Sequence, residues 1–357
     1  MNALEACTTE RALRATWKAE RARLMKSCFG ADRVSGVVFE RTLHKQLREI
    51  QYRLGIGSRN GANFKPHGLL AIAKPKENGS GNRIICVPTV ADRLLQFSIL
   101  NQLRPKLGAM GLDNPVAFGL APGLDRSVLG ARKFACSARN ERPWVYKADV
   151  HKFFDNVGRS VLQDAVDRTV RQRSLIPVLK SFLATEITDG ADKGWRAIVS
   201  EAGIRSGHGV RQGMPLSPFY AGVYLRDFDR MLLKCKVPAA RYVDDIVAFF
   251  EREADARAFH TVLKSALDDI GLSVGEPGAP GSKTIIYAPD EPAAFLGMEL
   301  NRREGSAYQL RISTSNIDKI VDRIKACGSA SALLARNVSL TTMGSYFKAV
   351  IEGYLNA

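Results

Sequence analysis

The stretch Ala240-Arg-Tyr-Val-Asp-Asp-Ile-Val-Ala-Phe-Phe250 constrains the fold more than any other part of the chain. Two adjacent carboxylates, Asp244 and Asp245, sit between a short apolar run and a longer one. Runs of β-branched and aromatic residues broken by a tight polar pair read as a β-hairpin. Its turn can hold two acids at an exposed edge, where a hard divalent cation can reach them. Oxygen-only ligands favour magnesium or manganese over zinc. Taken alone, an Asp-Asp pair is more often a solvated turn. Further segments, in consistent order and spacing, change that balance.

Residues 1–50 are basic and helical in pattern, with Arg11, Arg14, Lys18, Arg21, Arg23 and Lys26 among alanines and leucines. Such a face is either solvated or in contact with nucleic acid. Next, Leu69 to Pro88 gives two apolar strands around an Asn78-Gly79 turn, ringed by Lys74, Lys76 and Arg83. Asn-Gly between apolar runs is a strong hairpin signal, and cations beside a glycine tip suit a triphosphate. An ordinary surface hairpin with basic edges has the same pattern. Leu94, Leu95, Ile99 and Leu103 then mark a packed helix over 91–103, Phe118–Gly123 reads as a loop, and a helix is expected over about 125–136.

Trp144–Val150 alternates as a strand, which puts Lys147 and Asp149 on one side. The chain then turns through His151-Lys-Phe-Phe-Asp155. An acid at a strand end followed by bulky aromatics fits a metal ligand beside a shaped pocket, or a helix start. His208–Pro218 is loop-like; Ser217 is placed as an N-cap and Pro218 as the first helical residue. The Gln212-Gly213 step lets backbone approach a ligand closely. An amphipathic helix is expected over 254–270, short strands over 283–287 and 295–300, and helices from Ser313 onward.

Composition bounds the partners. The 357 residues are 45% hydrophobic, enough for one large or two modest domains. Lys and Arg number 52 against 36 acids, a net charge of +16 that points to a polyanion such as nucleic acid. Ribosome-like or membrane-surface binding would give the same sign. The six cysteines form no Cys-x-x-Cys pair, which argues against a zinc module or a disulfide framework and fits a reducing cytosol. With no apolar signal core and no window apolar enough to span a bilayer, a cytoplasmic protein with no membrane association is expected.

From about residue 69 to 300, these segments resemble, in order, the motifs of prokaryotic reverse transcriptases of the group II intron, retron and defence-associated lineage. Arg83 with the Lys74/Lys76 hairpin resembles the fingers motifs, and Phe118–Gly123 the loop that follows. Asp149 with Phe153-Phe154 is similar to motif A, and Gln212-Gly-Met-Pro-Leu-Ser-Pro218 to motif B. Tyr242-Val-Asp-Asp245 is similar to motif C, Lys283-Thr284 to motif D, and Phe295-Leu296-Gly297 to the primer-grip strand. The resemblance implies an α+β right-hand polymerase fold: a basic helical extension over 1–50, fingers over 51–148, a palm over 149–302 whose motif B region contacts the fingers, and a short helical thumb over 303–357.

It also implies roles. Asp149, Val150, Asp244 and Asp245 are the metal-contact positions for two Mg²⁺ ions, or Mn²⁺, ~3.5–4 Å apart. Lys74, Lys76, Arg83, Phe154, Gln212 and Gly213 are the dNTP-binding positions, and Lys283 a candidate general acid for the departing pyrophosphate. Phe154 stands five positions after Asp149, where reverse transcriptases place an aromatic gate against the 2′-hydroxyl; Phe153 reads as core. Motif B lacks the Ser-Gln ending of diversity-generating enzymes, no Val-Thr-Gly follows residue 300, and neither a long maturase region nor an RNase H segment is seen. The expectation is a compact, stand-alone enzyme in anti-phage defence. Its partners would be an RNA template (a dedicated non-coding RNA), the DNA product, dNTPs, and an effector protein or further copies of itself. The alternatives are an RNA-binding splicing or scaffold cofactor on a polymerase fold, and a template-independent or protein-primed DNA polymerase.

Overall fold

The computed structural model describes residues 1–56, 64–76, 81–302, 306–336, 338–339 and 341–356. Among them, eleven strands form three sheets: β1 (Leu69–Pro75), β2 (Asn82–Val87), β3 (Ala117–Phe118), β4 (Trp144–Asp149), β5 (Ile187–Gly190), β6 (Ala239–Tyr242), β7 (Asp245–Phe250), β8 (Ile285–Tyr287), β9 (Ala293–Phe295), β10 (Met298–Asn301) and β11 (Gln309–Ile312). The chain forms two compact units, each assembled from two stretches. One is Met1–Asn114 with Lys152–Asp227, the other Pro115–His151 with Phe228–Ala357.

In the first unit the N-terminal segment is helical, as its spacing requires. The Glu10–Lys26 helix buries Leu13, Trp17 and Leu24 and packs on the Val90–Leu103 helix, which is buried along almost its whole length. β1 and β2 pair antiparallel from Leu70↔Val87 to Pro75↔Asn82, and β5 adds to β1 in parallel. The hairpin alternates as a two-faced sheet should: Leu69, Ala71, Ile84 and Cys86 join Met214 in a core. The Asn78-Gly79 turn lies outside the described residues.

The second unit is built on a five-stranded sheet in the order β3-β6-β7-β4-β8. Its central strand β7 runs Ile246-Val-Ala-Phe-Phe250 without alternation, because both faces of the sheet are covered. On one face, Ala131, Ala135 and Ala138 of the Val128–Glu141 helix join Val145, Ala240, Val247 and Phe249 in one core. On the other, Phe259 of the Glu253–Asp268 helix meets Tyr146 and Phe250 at ring separations of 5.4 and 5.2 Å.

Four local expectations need correction. The helix placed over 125–136 runs Val128–Glu141, behind a single 3₁₀ turn. Ser217 is not an N-cap: it is the first residue of the Ser217–Lys234 helix, and its hydroxyl donates to the Arg211 carbonyl at 2.7 Å. Lys283 and Thr284 precede β8, so the 283–287 strand is three residues long. Residues 295–300 are two strands: β9 ends at Phe295, Leu296 and Gly297 turn the chain with φ of 48° and 77°, and β10 returns antiparallel. Positive φ at both turn residues matches the twist of a two-residue hairpin.

One ionic cluster ties motif B into the first unit. Glu186 accepts from Arg159 at 2.5 Å, from Arg211 at 2.6 Å and from the Gly207 N–H at 2.8 Å. Both arginines are buried, and an arginine deprived of its acid in such a place is costly. Glu186→Ala is therefore expected to destabilise the protein by roughly 3 kcal/mol, the low end for a broken buried pair because part of Glu186 is solvated. Urea denaturation checks this, and a change below about 1 kcal/mol would remove the cluster from the account of the fold.

Candidate active site

The acids come together in the second unit. β4 and β7 pair in unbroken register from Trp144↔Phe250 to Asp149↔Asp245, so the last residue of β4 faces the first of β7. β6 and β7 close at Tyr242↔Asp245, which leaves Val243 and Asp244 as a two-residue turn. The Asp244 carbonyl accepts the Val150 N–H at 3.3 Å. Asp149, Asp244 and Asp245 thus occupy adjoining strand ends, each partly exposed. Val150 is buried, and an apolar residue can offer a cation only its carbonyl oxygen.

The turn carries strain. Val243 has φ +58°, a conformation that a β-branched residue adopts at a cost of about 1–3 kcal/mol. Beside it, the Tyr242 ring lies over Gly119. A Cβ at Gly119, whose φ is +88°, would stand 2.6 Å from the ring, so the chain needs glycine where it leaves β3, Phe118 itself being strand rather than loop.

Two lysines balance the acids. Lys283 Nζ lies 3.2 Å from both Asp149 carboxylate oxygens, and Lys147 Nζ 3.7 Å from Asp245. Burial pushes the Asp245 carboxyl up to about 6; Lys147 draws it back, and the nearby Asp149 and Asp244 charges raise it again. Asp245 Oδ1 is buried without a hydrogen-bond partner. Among the described residues, no three or more His, Cys, Asp or Glu side chains already form a metal cage. The uncommitted Asp245 oxygen and the all-oxygen donor set fit a hard divalent cation.

The nucleotide-binding candidates lie in the first unit. Lys74 and Arg83 are register partners across the β1–β2 hairpin and, like Lys76, are exposed. The Gln212 carbonyl accepts the Cys86 N–H at 2.7 Å, which docks motif B on β2. Gly213 has φ +104°, and a Cβ there would stand 2.8 Å from the Cys86 carbonyl oxygen. No side chain fits. Phe154 is half-buried in the short Phe153–Asn156 helix, its ring 5.1 Å from that of buried Phe153, and its carbonyl accepts the Val210 N–H at 2.7 Å. The primer-grip candidates are back in the second unit: Phe295 is core, and the Leu296-Gly297 turn is held by Arg132 Nε on the Leu296 carbonyl (2.9 Å) and Asn316 Nδ2 on the Gly297 carbonyl (2.7 Å).

Sequence reasoning gave Lys147 no role, although strand alternation already set it beside Asp149. Arg132 was missed outright, because its target lies 164 residues away along the chain.

The family model described as reverse transcriptase (RNA-dependent DNA polymerase) matches residues 72–300. The chain belongs to the reverse transcriptase family. That stretch contains every motif position named above. A curated protein of similar sequence is Protein YkfC of Escherichia coli (strain K12), 27% identical over 228 residues, or 60% of this chain and 54% of the relative. The chain therefore spans about half the length of that curated relative. Among solved structures, a partial Cas6-RT-Cas1–Cas2 complex and a Cas6-RT-Cas1–Cas2 complex are similar at 20% identity and a TM-score of 0.41, covering 76% of this chain and 42% and 26% of theirs. Among the described residues no helix is long and apolar enough to cross a membrane.

The raised Asp245 pKa sets a pH dependence. The folded state holds the proton between its ordinary value near 3.8 and about 6, so stability falls as pH rises through that window, and the full cost is present above it. Without divalent cations, Asp245→Asn is expected to gain ~1–3 kcal/mol on wild type between pH 4 and pH 7.5. Urea melts in EDTA at both pH values measure this; an unchanged difference would contradict the assignment.

Proposed function

We propose that the chain is an RNA-directed DNA polymerase that adds deoxynucleotides to a primer 3′-end by two-metal nucleotidyl transfer. The observation that carries this reading is the register Asp149↔Asp245, which brings the motif A acid beside the motif C pair. In this reading residues 51–148 are fingers, 149–302 palm and 303–357 a short thumb, behind the basic extension 1–50.

Asp149, Asp244 and Asp245, with the Val150 carbonyl, would hold two divalent ions, Mg²⁺ or Mn²⁺, whose chemistry when bound is neutralisation of the triphosphate and activation of the primer 3′-hydroxyl. The bond from that oxygen to the α-phosphorus forms as the bond to pyrophosphate breaks. Lys74, Lys76 and Arg83 take the charge of the outer phosphates. The Gln212-Gly213 backbone lies against the nucleotide, and Phe295, Leu296 and Gly297 position the primer. Lys283 stands beside Asp149 to donate a proton to the departing pyrophosphate. The biological setting proposed is anti-phage defence with a dedicated RNA, an effector protein or further copies of the chain as partners.

The test is to sequence nucleic acid that co-purifies with wild type and with Asp244→Ala/Asp245→Ala. A discrete RNA in both, with complementary DNA only in wild type, is expected. Low-complexity DNA without a matching RNA would replace this reading with untemplated synthesis. RNA in both and DNA in neither, after dNTPs and magnesium are added, would replace it with an RNA-binding cofactor. For the sugar gate, Phe154→Ala is expected to raise ribonucleotide over deoxynucleotide incorporation by roughly 10–100-fold, measured by primer extension with single nucleotides.

A further inference from the structure

The strained Val243 turn raises a question that the acids and lysines leave open: what holds it. Two residues before it, Arg241 is buried in β6. Its Nη1 donates to the Val243 carbonyl at 2.9 Å. The rest of its guanidinium is committed to one partner: Nε and Nη2 each lie 2.6 Å from one oxygen of Asp229, on the Ser217–Lys234 helix. Asp229 is 1% exposed. The Arg241 N–H donates to the Val116 carbonyl at 2.8 Å, which anchors the same residue to the neighbouring β3 edge.

A planar guanidinium bound along one edge by both oxygens of a buried carboxylate has little freedom to rotate. The Nη1 donor is therefore held in place, and the Val243 carbonyl is held with it. From the other side, the Val150 N–H holds the Asp244 carbonyl. The peptide units on both sides of the Asp244 side chain are thus pinned to different strands. A buried ion pair seldom stabilises a fold beyond what an apolar pair would achieve, and its best-attested use is to specify geometry. This pair is aimed at a backbone segment whose conformation the Val243 side chain itself opposes.

We infer that Asp229 and Arg241 are positioning residues: their buried ion pair sets the backbone of the Val243-Asp244 turn and, through it, the placement of the Asp244 and Asp245 carboxylates toward divalent cations. The inference rests on the polymerase reading only for its kinetic consequence. The cation consequence stands apart from it.

The single variants leave one buried charge unpaired and are poor tests, so the pair is removed together. Arg241→Met/Asp229→Val stays close to the original volume and leaves no orphan charge. It is expected to fold with the wild-type urea midpoint or above. It should incorporate dNTPs on a primed RNA 10–100-fold more slowly in single turnover, with the dNTP concentration at half-saturation within twofold of wild type. Mn²⁺ binding to the free protein, read by electron paramagnetic resonance, should weaken 5–10-fold. Adding Val243→Gly, which takes positive φ without strain, should return most of both losses. A folded double variant that incorporates dNTPs and binds Mn²⁺ as wild type does would overturn the inference, as would a Val243→Gly background that restores neither. If wild type polymerises nothing while Mn²⁺ binding still falls in the double variant, the polymerase reading fails and the positioning role stands.

Discussion

The antiparallel ladder between β4 and β7 is the constraint on which the second unit depends. Six consecutive register pairs, from Trp144↔Phe250 to Asp149↔Asp245, fix two strands that are 96 residues apart at their acidic ends. A slip of one residue would turn every side chain to the opposite face. It would take Val247 and Phe249 away from the Val128–Glu141 helix and move the Asp245 carboxylate out of line with Asp149. The apolar packing of the Val128–Glu141 helix on one face and the Glu253–Asp268 helix on the other therefore selects the register. The placement of the carboxylates follows from core packing. Chemistry at the strand ends is specified by hydrophobic residues that never touch it.

Arginine does comparable work throughout the chain. Arg132 collects the Leu296 carbonyl, and Arg139 those of Ala288, Glu291 and Leu300. Arg93 bonds Ser27 and Cys28, while Arg159 and Arg211 converge on Glu186. Apart from Leu300 of β10, the acceptors are carbonyls, a hydroxyl or a carboxylate outside the strands, which a rigid fork of donors satisfies together. Burial draws the Arg93 guanidinium down to about 10, a measure of how dry these positions are.

Elements whose side chains alternate or recur at helical spacing were legible in the sequence. The β6–β7 hairpin, the β4 strand with Asp149 at its end and the Val90–Leu103 helix are where pattern alone puts them. The misreadings have one physical origin, a tertiary partner that overrides a local preference. Ser217 has the composition of a cap, but its hydroxyl is drawn to the Arg211 carbonyl six residues back. Leu296 has no turn chemistry, yet adopts φ +48° under the hydrogen bonds of Arg132. β11 was not foreseen, because Gln309-Leu-Arg-Ile312 shows little pattern until β10 supplies its register. The lysines and arginines around the acids were the least legible, since a lone basic residue in an apolar run does not reveal which acid it will meet.

The buried arginines also change the meaning of the charge surplus. Among the described residues six arginines and two aspartates are buried, so a net four of the +16 face inward and are unavailable to a polyanion. Counterion release on nucleic-acid binding counts only the cations that reach phosphates. The steepness with which salt weakens binding should thus follow the exposed lysines and arginines. A basic composition here is partly a building material, and only the remainder is an electrostatic footprint.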